Sequence, residues 1–455
     1  MIKSKPYQSS FRDNKNFVFR DGDKIKRQIN PLGFEDFRRL ADSGLYDELI
    51  SKKLLVSHTV EYSGSDKIII CPQQVPFISY PYEWSFSMLK DAALLTIELM
   101  KTAVQYGMIL KDASAYNVQF MNGQSVFIDT GSFEQYVPSQ PWRAYRQFCE
   151  NFLAPSLLMS GCDLSLQNLL VSNLDGIPLA LAAKLLPLKV KMRPSVYMHI
   201  VLHSKLQICY EASSAPTSSR TFSKFKLRAL LESLEGLIKS LKFPTSQTQW
   251  QDYYDDNNYT PQAFNAKKEM VLGMINSTQP QTVWDVGANQ GVFSRLGDKN
   301  VAYLDLDIDP AAIEKNYLEI KESRRTNILP LKFDFNNPSP ALGVGNDERL
   351  SLFERQMPDV VLFLALIHHL VIVYKVPFKK IAEVLARLSP VVVLEFVLPE
   401  DTQVQKLVKT RNNADFEYSQ EIFEKTFSEY FELAEKTQIP DSKRLLYLMK
   451  RKPHK

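Results

Sequence analysis

The sequence predicts two domains, the second of which is a doubly wound, Rossmann-like α/β domain that covers residues 262–455. Two observations lead to this prediction. From about Thr282 onward, short segments rich in Val, Ile and Leu alternate with helical stretches, which is the pattern of a parallel sheet covered on both faces. The chain of 455 residues is also too long for one compact core, and a polar stretch, residues 244–261, precedes the alternating region.

The predicted parallel strands are, in chain order, Thr282–Val286, Val301–Leu306, Ile328–Phe333, Val360–Leu364 and Val391–Phe396. Helices are predicted at Gly291–Leu296 and Pro310–Ser323, between successive strands. A last helix is predicted at Ser419–Phe427. The terminal segment Arg444–Met449 is then expected to complete the sheet as an antiparallel edge strand.

A glycine-containing turn follows the first predicted strand. In the segment WDVGANQGVFSRL, Asp285 ends the strand, and Gly287, Asn289 and Gly291 form the turn before the helix. Glycines at these positions remove Cβ atoms, so that backbone and ligand can approach closely. Taken alone, the pattern D-x-G-x-x-x-G is also compatible with a nucleotide site or with a simple tight turn.

Acidic residues at the next two strand ends make the prediction more specific. Asp307 ends the second strand about 20 positions after the turn, where a carboxylate can accept hydrogen bonds from ribose hydroxyls. Asp305 is expected on the same side but deeper, and Asp309 at the N-cap of the next helix. After the third strand, Asp334 can accept an adenine amino group while Phe335 packs on the ring.

Residues suited to proton transfer follow the fourth predicted strand and end the fifth. His368 and His369 come directly after the fourth strand, where an acceptor is expected, and Glu395 ends the fifth. If the acceptor is a hydroxyl, a base is needed. One histidine is then expected to point into the pocket, with a slight preference for His368, although packing roles for both remain an alternative.

With these strand ends in order, residues 282–400 resemble a class I S-adenosylmethionine-dependent methyltransferase. The resemblance implies S-adenosylmethionine as cofactor and an oxygen or nitrogen acceptor, with no metal in this domain. It implies that the methionine end lies near the glycine turn, the ribose on the second strand end and the adenine on the third. In this sequence those residues are Asp285, Gly287, Asn289 and Gly291, then Asp307, then Asp334 and Phe335. A pyrophosphate is disfavoured because Asp285 would repel it.

The N-terminal half, residues 1–243, carries a second set of spaced polar residues. Asp112 and Asn117 have the D-x-x-x-x-N spacing of a kinase catalytic loop, and Asp129 opens a D-x-G turn. A hairpin turned at Asn122-Gly123 separates the two motifs. With these motifs the region resembles the α+β fold of protein kinases and aminoglycoside phosphotransferases. The resemblance implies a hinge strand at Val75–Tyr82.

The long helix implied by the same resemblance is predicted at Phe86–Tyr106. No glycine-rich phosphate loop precedes it, and Arg20–Asp23 is only a predicted hairpin turn. The strand lysine and helix glutamate of that fold are not identifiable from the sequence, and the candidates are Lys26 or Arg27 with Glu35 or Glu48. Three interpretations stay open for this domain: an active kinase, a nucleotide-binding pseudokinase, and a scaffold. The first two would bind Mg²⁺ and ATP at Asp112, Asn117 and Asp129.

The stretch between the domains is rich in aromatic residues. Trp250, Tyr253, Tyr254 and Tyr259 occur within ten residues, which is unusual for an exposed linker, so we expect this stretch to lie across the strand ends and help cover the cofactor. Further upstream, residues 212–219 are predicted to be a small polar linker and Phe222–Leu241 an amphipathic helix.

Across nearly its full length the chain is also similar to bacterial methyltransferases related to the nodulation protein NoeA. The similarity lies in PYEWSFSMLKDAALLTIELMKTA, LKDASAYNVQF, the W-x-x-Y-Y element at residues 250–254, and LALIHHL with VVLEFV. It implies methyl transfer to a glycan or another small cell-surface metabolite. Two rivals remain: a phosphotransferase whose second domain only binds ligand, and a scaffold that senses S-adenosylmethionine.

Composition excludes several other classes. The chain has 55 basic and 51 acidic residues interleaved along it, which disfavours nucleic-acid binding. No apolar stretch is long enough for a membrane span, and no secretory signal is visible. Four cysteines without C-x-x-C spacing argue against a zinc site and for free thiols, so we expect a cytoplasmic protein.

Overall fold

The computed structural model describes residues 6–206, 222–244, 259–411 and 418–453. It divides into two compact units, Met1–Ser246 with Ala341–Leu350, and Gln247–Pro340 with Ser351–Lys455. The predicted polar linker at 212–219 and the aromatic residues Trp250, Tyr253 and Tyr254 lie outside the described residues.

A four-stranded antiparallel sheet, in the order β1-β2-β4-β3, opens the first unit. Its strands are β1 (Asn16–Asp21), β2 (Lys24–Ile29), β3 (His58–Ser63) and β4 (Ile68–Pro72). The turn predicted at Arg20–Asp23 is confirmed, because Asp21 pairs with Lys24 across it. Two helices, α1 (Phe34–Asp42) and α2 (Leu45–Ser51), connect β2 to β3.

The long helix of the first unit is α3 (Phe86–Gln105), in agreement with the predicted span. Ser85 caps it by accepting a hydrogen bond from the Met88 amide at 3.3 Å. The hinge strand predicted at Val75–Tyr82 is wrong, because this stretch is irregular and ends in a single 3₁₀ turn at Pro81–Glu83. Its prolines lack the N–H group that a ladder needs.

Two short antiparallel pairs follow α3. Strand β5 (Met108–Leu110) pairs with β8 (Phe133–Gln135), and β6 (Val118–Met121) pairs with β7 (Gln124–Phe127). The predicted turn at Asn122-Gly123 is confirmed: both residues have positive φ, 53° and 72°, as a tight hairpin requires.

Helices make up the rest of the first unit. In chain order they are α4 (Tyr145–Phe148), α5 (Ala154–Gly161), α6 (Leu169–Ser172), α7 (Leu179–Leu185), α8 (Leu188–Lys191), α9 (Pro194–Val196) and α10 (Lys224–Ser240), with π-helical turns at Cys149–Leu153 and Tyr197–Leu202 and a 3₁₀ turn at Leu164–Asn168. Helix α10 agrees with the predicted amphipathic helix, and the Ser223 hydroxyl caps it.

Residues 341–350 belong to the first unit, although the predicted boundaries place them in the C-terminal domain. Leu342 and Arg349 form an antiparallel bridge, so the segment is a short hairpin. Within the unit, Glu348 is buried and forms a bidentate salt bridge with Arg12, in which Arg12 Nη2 lies 2.8 Å from Glu348 Oε1. The Leu350 amide donates to the Tyr80 hydroxyl at 3.1 Å.

A seven-stranded sheet forms the second unit, in the order β11-β10-β9-β12-β13-β15-β14. Its strands are β9 (Thr282–Val286), β10 (Ala302–Asp307), β11 (Ile328–Lys332), β12 (Val360–Phe363), β13 (Val391–Val397), β14 (Phe431–Gln438) and β15 (Arg444–Arg451). The first five are mutually parallel, so the predicted doubly wound, Rossmann-like sheet is confirmed.

The predicted edge of the sheet needs a correction. Strand β15 is antiparallel as expected, but it lies between β13 and β14, and β14 forms the edge. The sequence of β14, FELAEKTQ, is polar because most of its side chains are exposed, and it therefore does not look like a strand.

Seven helices among the described residues accompany this sheet. They are α11 (Pro261–Thr278), α12 (Val292–Leu296), α13 (Pro310–Ser323), α14 (Leu352–Arg355), α15 (Phe378–Leu388), α16 (Thr402–Arg411) and α17 (Gln420–Phe427). The helices predicted after β9, after β10 and before β14 are confirmed. Among the described residues, no helix combines the length and apolarity needed to cross a bilayer.

Candidate functional site

The site lies where the strand order of the second unit reverses. From β9 the chain proceeds to β10 and β11 on one side, then crosses to β12 and β13 on the other. Ligands of open α/β sheets bind at such a reversal, outside the carboxyl ends of the strands. The turn after β9 is tied to β10, because the amides of Gly287 and Ala288 donate to the Leu306 carbonyl at 2.8 and 3.1 Å.

The two glycines of this turn serve different needs. Both have positive φ, 85° at Gly287 and 72° at Gly291. A Cβ on Gly291 would collide with the side chains of Asp305 and Asn316, whereas a Cβ on Gly287 would meet nothing closer than 3.8 Å. Gly291 is therefore required for close packing, whereas a Cβ at Gly287 would make only ordinary van der Waals contacts, so its positive φ is what favours glycine there. Asn289 also has positive φ, 50°, a conformation that asparagine tolerates.

Asp285 is a buried carboxylate at the end of β9. Its side chain is only 1% exposed, and Oδ2 has no hydrogen-bond partner. Burial and then the neighbouring Asp305 raise its pKa well above the usual value, while Lys267 opposes the rise. A cationic ligand group would satisfy this carboxylate.

Asp307 is held rigidly at the end of β10. Its Oδ2 accepts the Asn289 amide at 2.7 Å and its Oδ1 accepts the Asp309 amide at 2.9 Å. Burial raises its pKa to about 6. Asp309 caps α13 through the Ala311 amide, at 2.8 Å. Asp307 thus joins the glycine turn to the start of α13 and keeps lone pairs available to a ligand.

Asp305 lies deeper and has a packing role. It is fully buried, and its Oδ2 accepts hydrogen bonds from the Ser294 hydroxyl and the Asn316 side-chain amide, both at 2.7 Å. These bonds fasten α12 and α13 to the centre of β10.

Asp334 and Phe335 follow β11 and are half-buried. Asp334 accepts the Asn336 amide at 2.8 Å, which fixes the turn. The Phe335 ring lies 5.1 Å from the ring of Phe363, which ends β12. The third strand end thereby presents a carboxylate and an aromatic ring, the pair expected to receive adenine.

His368 and His369 follow β12 at the start of a π-helical turn, His369–Val373. Such turns are frequent at functional sites. Their rings lie 4.3 Å apart; His368 is buried and its Nδ1 has no hydrogen-bond partner, while His369 is half-buried. Burial, then His369 and Arg444, lower the pKa of His368 well below the usual value; burial and then Arg444 lower the pKa of His369 to about 4. Both rings are neutral at neutral pH.

Glu395 lies in a buried ion cluster in β13. Its Oε2 lies 2.6 Å from Lys267 Nζ and its Oε1 lies 3.1 Å from Arg444 Nη1, and Arg444 in turn pairs with Asp401 at 3.2 Å. Burial would raise the pKa of Glu395, but the two cations outweigh burial and lower it to about 2. Lys267, Arg444 and the Tyr259 hydroxyl already engage both oxygens of Glu395, so the geometry favours a positioning role over the predicted catalytic role.

Tyr259 packs against the same ion cluster. Its hydroxyl donates to Glu395 Oε1, and its ring lies 4.5 Å from the Arg444 guanidinium and 5.0 Å from Lys267 Nζ. Sequence reasoning did not identify Lys267 or Arg444. A signal for Lys267 existed, because it interrupts the apolar i, i+4 stripe Ala263–Val271 of α11 at its centre.

In the first unit, Asp112, Asn117 and Asp129 converge. Asn117 hydrogen-bonds Asp112, and its Nδ2 donates to the Ser132 hydroxyl at 3.4 Å, which itself donates to Asp129. Burial and then Asp129 raise the pKa of Asp112. Arg27 Nη1 lies 2.5 Å from Asp129 Oδ1.

The cation–carboxylate pair predicted for this cleft is wrong. Arg27 pairs with Asp129, and Lys26 pairs with Asp21 and Glu61, both at 2.7 Å. Glu35 instead pairs with Arg39 within α1, and Glu48 pairs with Lys52 at the end of α2. In the part of the chain that the structure describes, no group of three or more His, Cys, Asp or Glu side chains is arranged to hold a metal ion.

The fold and site of the second unit define a Rossmann-like α/β domain with a ligand site at the reversal of its sheet. No family model matches the chain. It is, however, 34% identical to the nodulation protein NoeA of Rhizobium meliloti (strain 1021) over 457 residues, which cover 97% of this chain and 95% of NoeA. The chain belongs to the family of NoeA, as its sequence motifs predicted.

Methyltransferases are among the solved structures with a detectable likeness to this chain. N-methyltransferase NodS from Bradyrhizobium japonicum WM9 in complex with S-adenosyl-l-homocysteine is 14% identical and covers 46% of this chain and 94% of its own, with a TM-score of 0.33. Magnesium protoporphyrin IX methyltransferase (ChlM) from Synechocystis PCC 6803 with bound SAH is 14% identical over 45% of this chain and 93% of its own, with a TM-score of 0.31. At these TM-scores, function has to be inferred from the site itself.

Proposed function

We propose that the second unit binds S-adenosylmethionine and transfers its methyl group to an oxygen or nitrogen of an acceptor. The observation that carries this proposal is the Asp285 carboxylate. It is buried at the sheet reversal, two residues before Gly287, and Oδ2 has no hydrogen-bond partner. The α-ammonium of a methionine moiety would supply the missing cation, whereas a pyrophosphate would be repelled.

The other strand ends suit the rest of this cofactor. Asp307 is oriented by two backbone amides and can accept both ribose hydroxyls. Asp334 and Phe335 offer an acceptor and an aromatic face to adenine. Among the described residues of the turn, 287–291, no basic side chain is available for a phosphate.

When bound, S-adenosylmethionine supplies an electrophilic methyl group on a sulfonium, so the contribution of the protein is mainly alignment and exclusion of water. The chain must also remove a proton from a hydroxyl or ammonium acceptor. His368 Nδ1 is buried, unprotonated at neutral pH and without a partner, and we assign it this role, with His369 as the alternative. Glu395 holds Tyr259 and Lys267 in place.

Calorimetric titration with S-adenosylmethionine tests the proposal through Asp285→Asn. We expect this variant to bind at least tenfold more weakly, because the amide cannot neutralise an ammonium. Glu322→Gln, which neutralises an exposed carboxylate on α13, is the matched control and should bind normally. Unchanged affinity in a folded Asp285→Asn variant, or no binding by the unaltered protein, would contradict the proposal.

We propose a glycan or another small metabolite as the acceptor and the cytoplasm as the location. The first rests on the resemblance to NoeA-related methyltransferases described in the sequence analysis, and the free thiols of Cys71, Cys149 and Cys162 are consistent with the second. Metabolite profiling of a deletion strain should reveal a compound that lacks one methyl group, and complementation with a His368→Ala variant should fail to restore it.

For the first unit we propose a kinase-like scaffold that does not transfer phosphate. The antiparallel sheet, the long helix α3 and the convergence of Asp112, Asn117 and Asp129 support the likeness. The residues present do not fit Mg²⁺, however, because the guanidinium of Arg27 already neutralises Asp129. The first unit therefore has no assigned part in phosphoryl transfer, and an active phosphotransferase is the rival hypothesis.

A further inference from the structure

Residues 176–206 of the first unit carry charges of one sign only. The stretch contains no Asp or Glu, and its basic residues are Lys184, Lys189, Lys191, Arg193 and Lys205. Residues 212–231 and 360–382 also lack Asp and Glu, but they carry four and three Lys or Arg residues, so the five of 176–206 are the largest such group of the three.

The same stretch exposes large apolar side chains. Leu188 is 73% exposed and Met192 is 72% exposed, four residues apart along α8 and its end. Further exposed apolar residues are Leu185, Tyr197, Met198, Leu202 and Leu206. Single exposed apolar residues are ordinary, but a cluster on adjoining helices marks an interaction surface. We call these seven residues, with the five basic ones, the 184–206 surface.

The helical spacing places the apolar residues of the last part on one side. Met198, Leu202 and Leu206 recur at intervals of four and are exposed, whereas His199 and Ile200 are buried in the unit. The segment is therefore apolar on both its buried and its exposed faces. Packing within the unit explains the apolar residues of the buried face but not those of the exposed face.

Helix α10 extends this surface. Arg193 Nη2 bonds the Ser240 hydroxyl at 2.8 Å, and His199 Nε2 lies 2.9 Å from the Ser233 hydroxyl, so the two segments run antiparallel. The start of α10 therefore lies toward the end that carries Leu206. At that start Phe225, between Lys224 and Lys226, is 80% exposed.

We propose that the 184–206 surface, together with Phe225, docks on an anionic lipid bilayer. The apolar side chains would enter the boundary between headgroups and acyl chains while the basic side chains contact the anionic headgroups. A second copy of the chain fits less well, because five cations without a carboxylate would face five more. A nucleic acid would match the charge but leave Leu188 and Met192 without an apolar partner. The proposal does not depend on methyl transfer.

Flotation with vesicles tests the proposal on the full-length protein. We expect binding to vesicles of phosphatidylcholine with 30% phosphatidylglycerol, weakening as salt is raised, and little binding to phosphatidylcholine alone. Leu188→Ser with Met192→Ser should reduce the partition coefficient at least tenfold. Lys184→Gln, Lys189→Gln and Lys205→Gln together should reduce it further, by about fivefold per lysine. Leu32→Ser, at a 67% exposed leucine of the same unit, is the matched control and should bind normally.

Three outcomes would overturn the proposal. The first is no binding to anionic vesicles, and the second is equal binding by the Leu188→Ser, Met192→Ser variant. The third is a dimer, seen by light scattering without lipid, that this variant abolishes, since that result would identify a second copy of the chain as the occupant.

Discussion

Replacing Lys267 by methionine should destabilise the second unit strongly. Lys267 and Glu395 are both buried, with Nζ and Oε2 2.6 Å apart, so the substitution leaves a buried carboxylate with fewer partners. Breaking one side of a buried pair typically costs about 3–5 kcal/mol. Because Glu395 keeps Arg444 at 3.1 Å and the Tyr259 hydroxyl, we expect the lower end, about 3 kcal/mol. In a unit of roughly 200 residues this corresponds to a fall in Tm of about 6–12 °C.

The assay is urea unfolding followed by far-UV circular dichroism, with Lys268→Met as the matched control. Lys268 is the next residue of α11, is only half-buried and contacts Asn265 at 3.4 Å, so its replacement should cost less than about 1 kcal/mol. In the double variant Lys267→Met, Glu395→Gln neither charge remains, and the loss should be smaller than the sum of the two single losses.

The same variants separate a positioning role from a catalytic one. If Glu395 positions Tyr259 and Lys267, then Glu395→Gln lowers stability and cofactor affinity together. A Glu395→Gln protein with unchanged stability and cofactor affinity but no methyl transfer would refute this reasoning and restore Glu395 as a catalytic residue.

Three further predictions concern other parts of the chain. Asp307→Ala should weaken S-adenosylmethionine binding by about 1–3 kcal/mol, measured by calorimetry, and unchanged affinity would remove this residue from the ribose site. His199 has its pKa lowered to about 4 by burial and then His203, so its stabilising effect is complete above pH 6.5 and is lost as the pH falls toward 4. Urea titrations should show about 2 kcal/mol of loss from this group between pH 6.5 and 5, absent in His199→Gln. Arg27→Met and Asp129→Asn should each destabilise the first unit, and the double variant should lose less stability than the sum of the two single losses. Millimolar ATP with Mg²⁺ should cause no shift in the melting temperature of the unaltered protein. A shift that Asp129→Asn abolishes would instead support a nucleotide site.

Local sequence patterns predicted much of the second unit because its buried parallel strands are continuous apolar runs. Strand β9 and helix α13 begin and end at the predicted residues, since an aspartate or glycine turn punctuates each of them. Strand β14 escaped prediction because an exposed edge strand has no apolar alternation to read. The hinge strand at Val75–Tyr82 was expected from the resemblance to kinases and is wrong, because the two prolines of this stretch cannot donate to a strand ladder.

The candidate site divides in the same way. The carboxylates at strand ends follow from spacing, because parallel strands end at one edge of a sheet. The partners of Glu395 and Asp129 do not follow from spacing: Lys267 lies 128 positions before Glu395 and Arg27 lies 102 positions before Asp129, and only the folded chain brings them together. Charged residues at such separations carry no periodic signal, so their roles had to be read from the structure.

The hairpin at residues 341–350 has a consequence for synthesis on the ribosome. The long N-terminal segment of the first unit ends at Ser246. The contacts of Arg12 with Glu348 and of Tyr80 with Leu350 can form only after about 100 more residues have been added. At translation rates of about 5–20 residues per second, an early-folding N-terminal half waits roughly 5–20 s for its last segment. During that time β9, β10 and β11 emerge without β12, the strand that pairs with β9 on its other side. The first unit is therefore complete only after the second has begun to form. A cut of the chain at residue 250 would leave the N-terminal half without its hairpin 341–350, and the C-terminal half would carry that hairpin without the unit it belongs to.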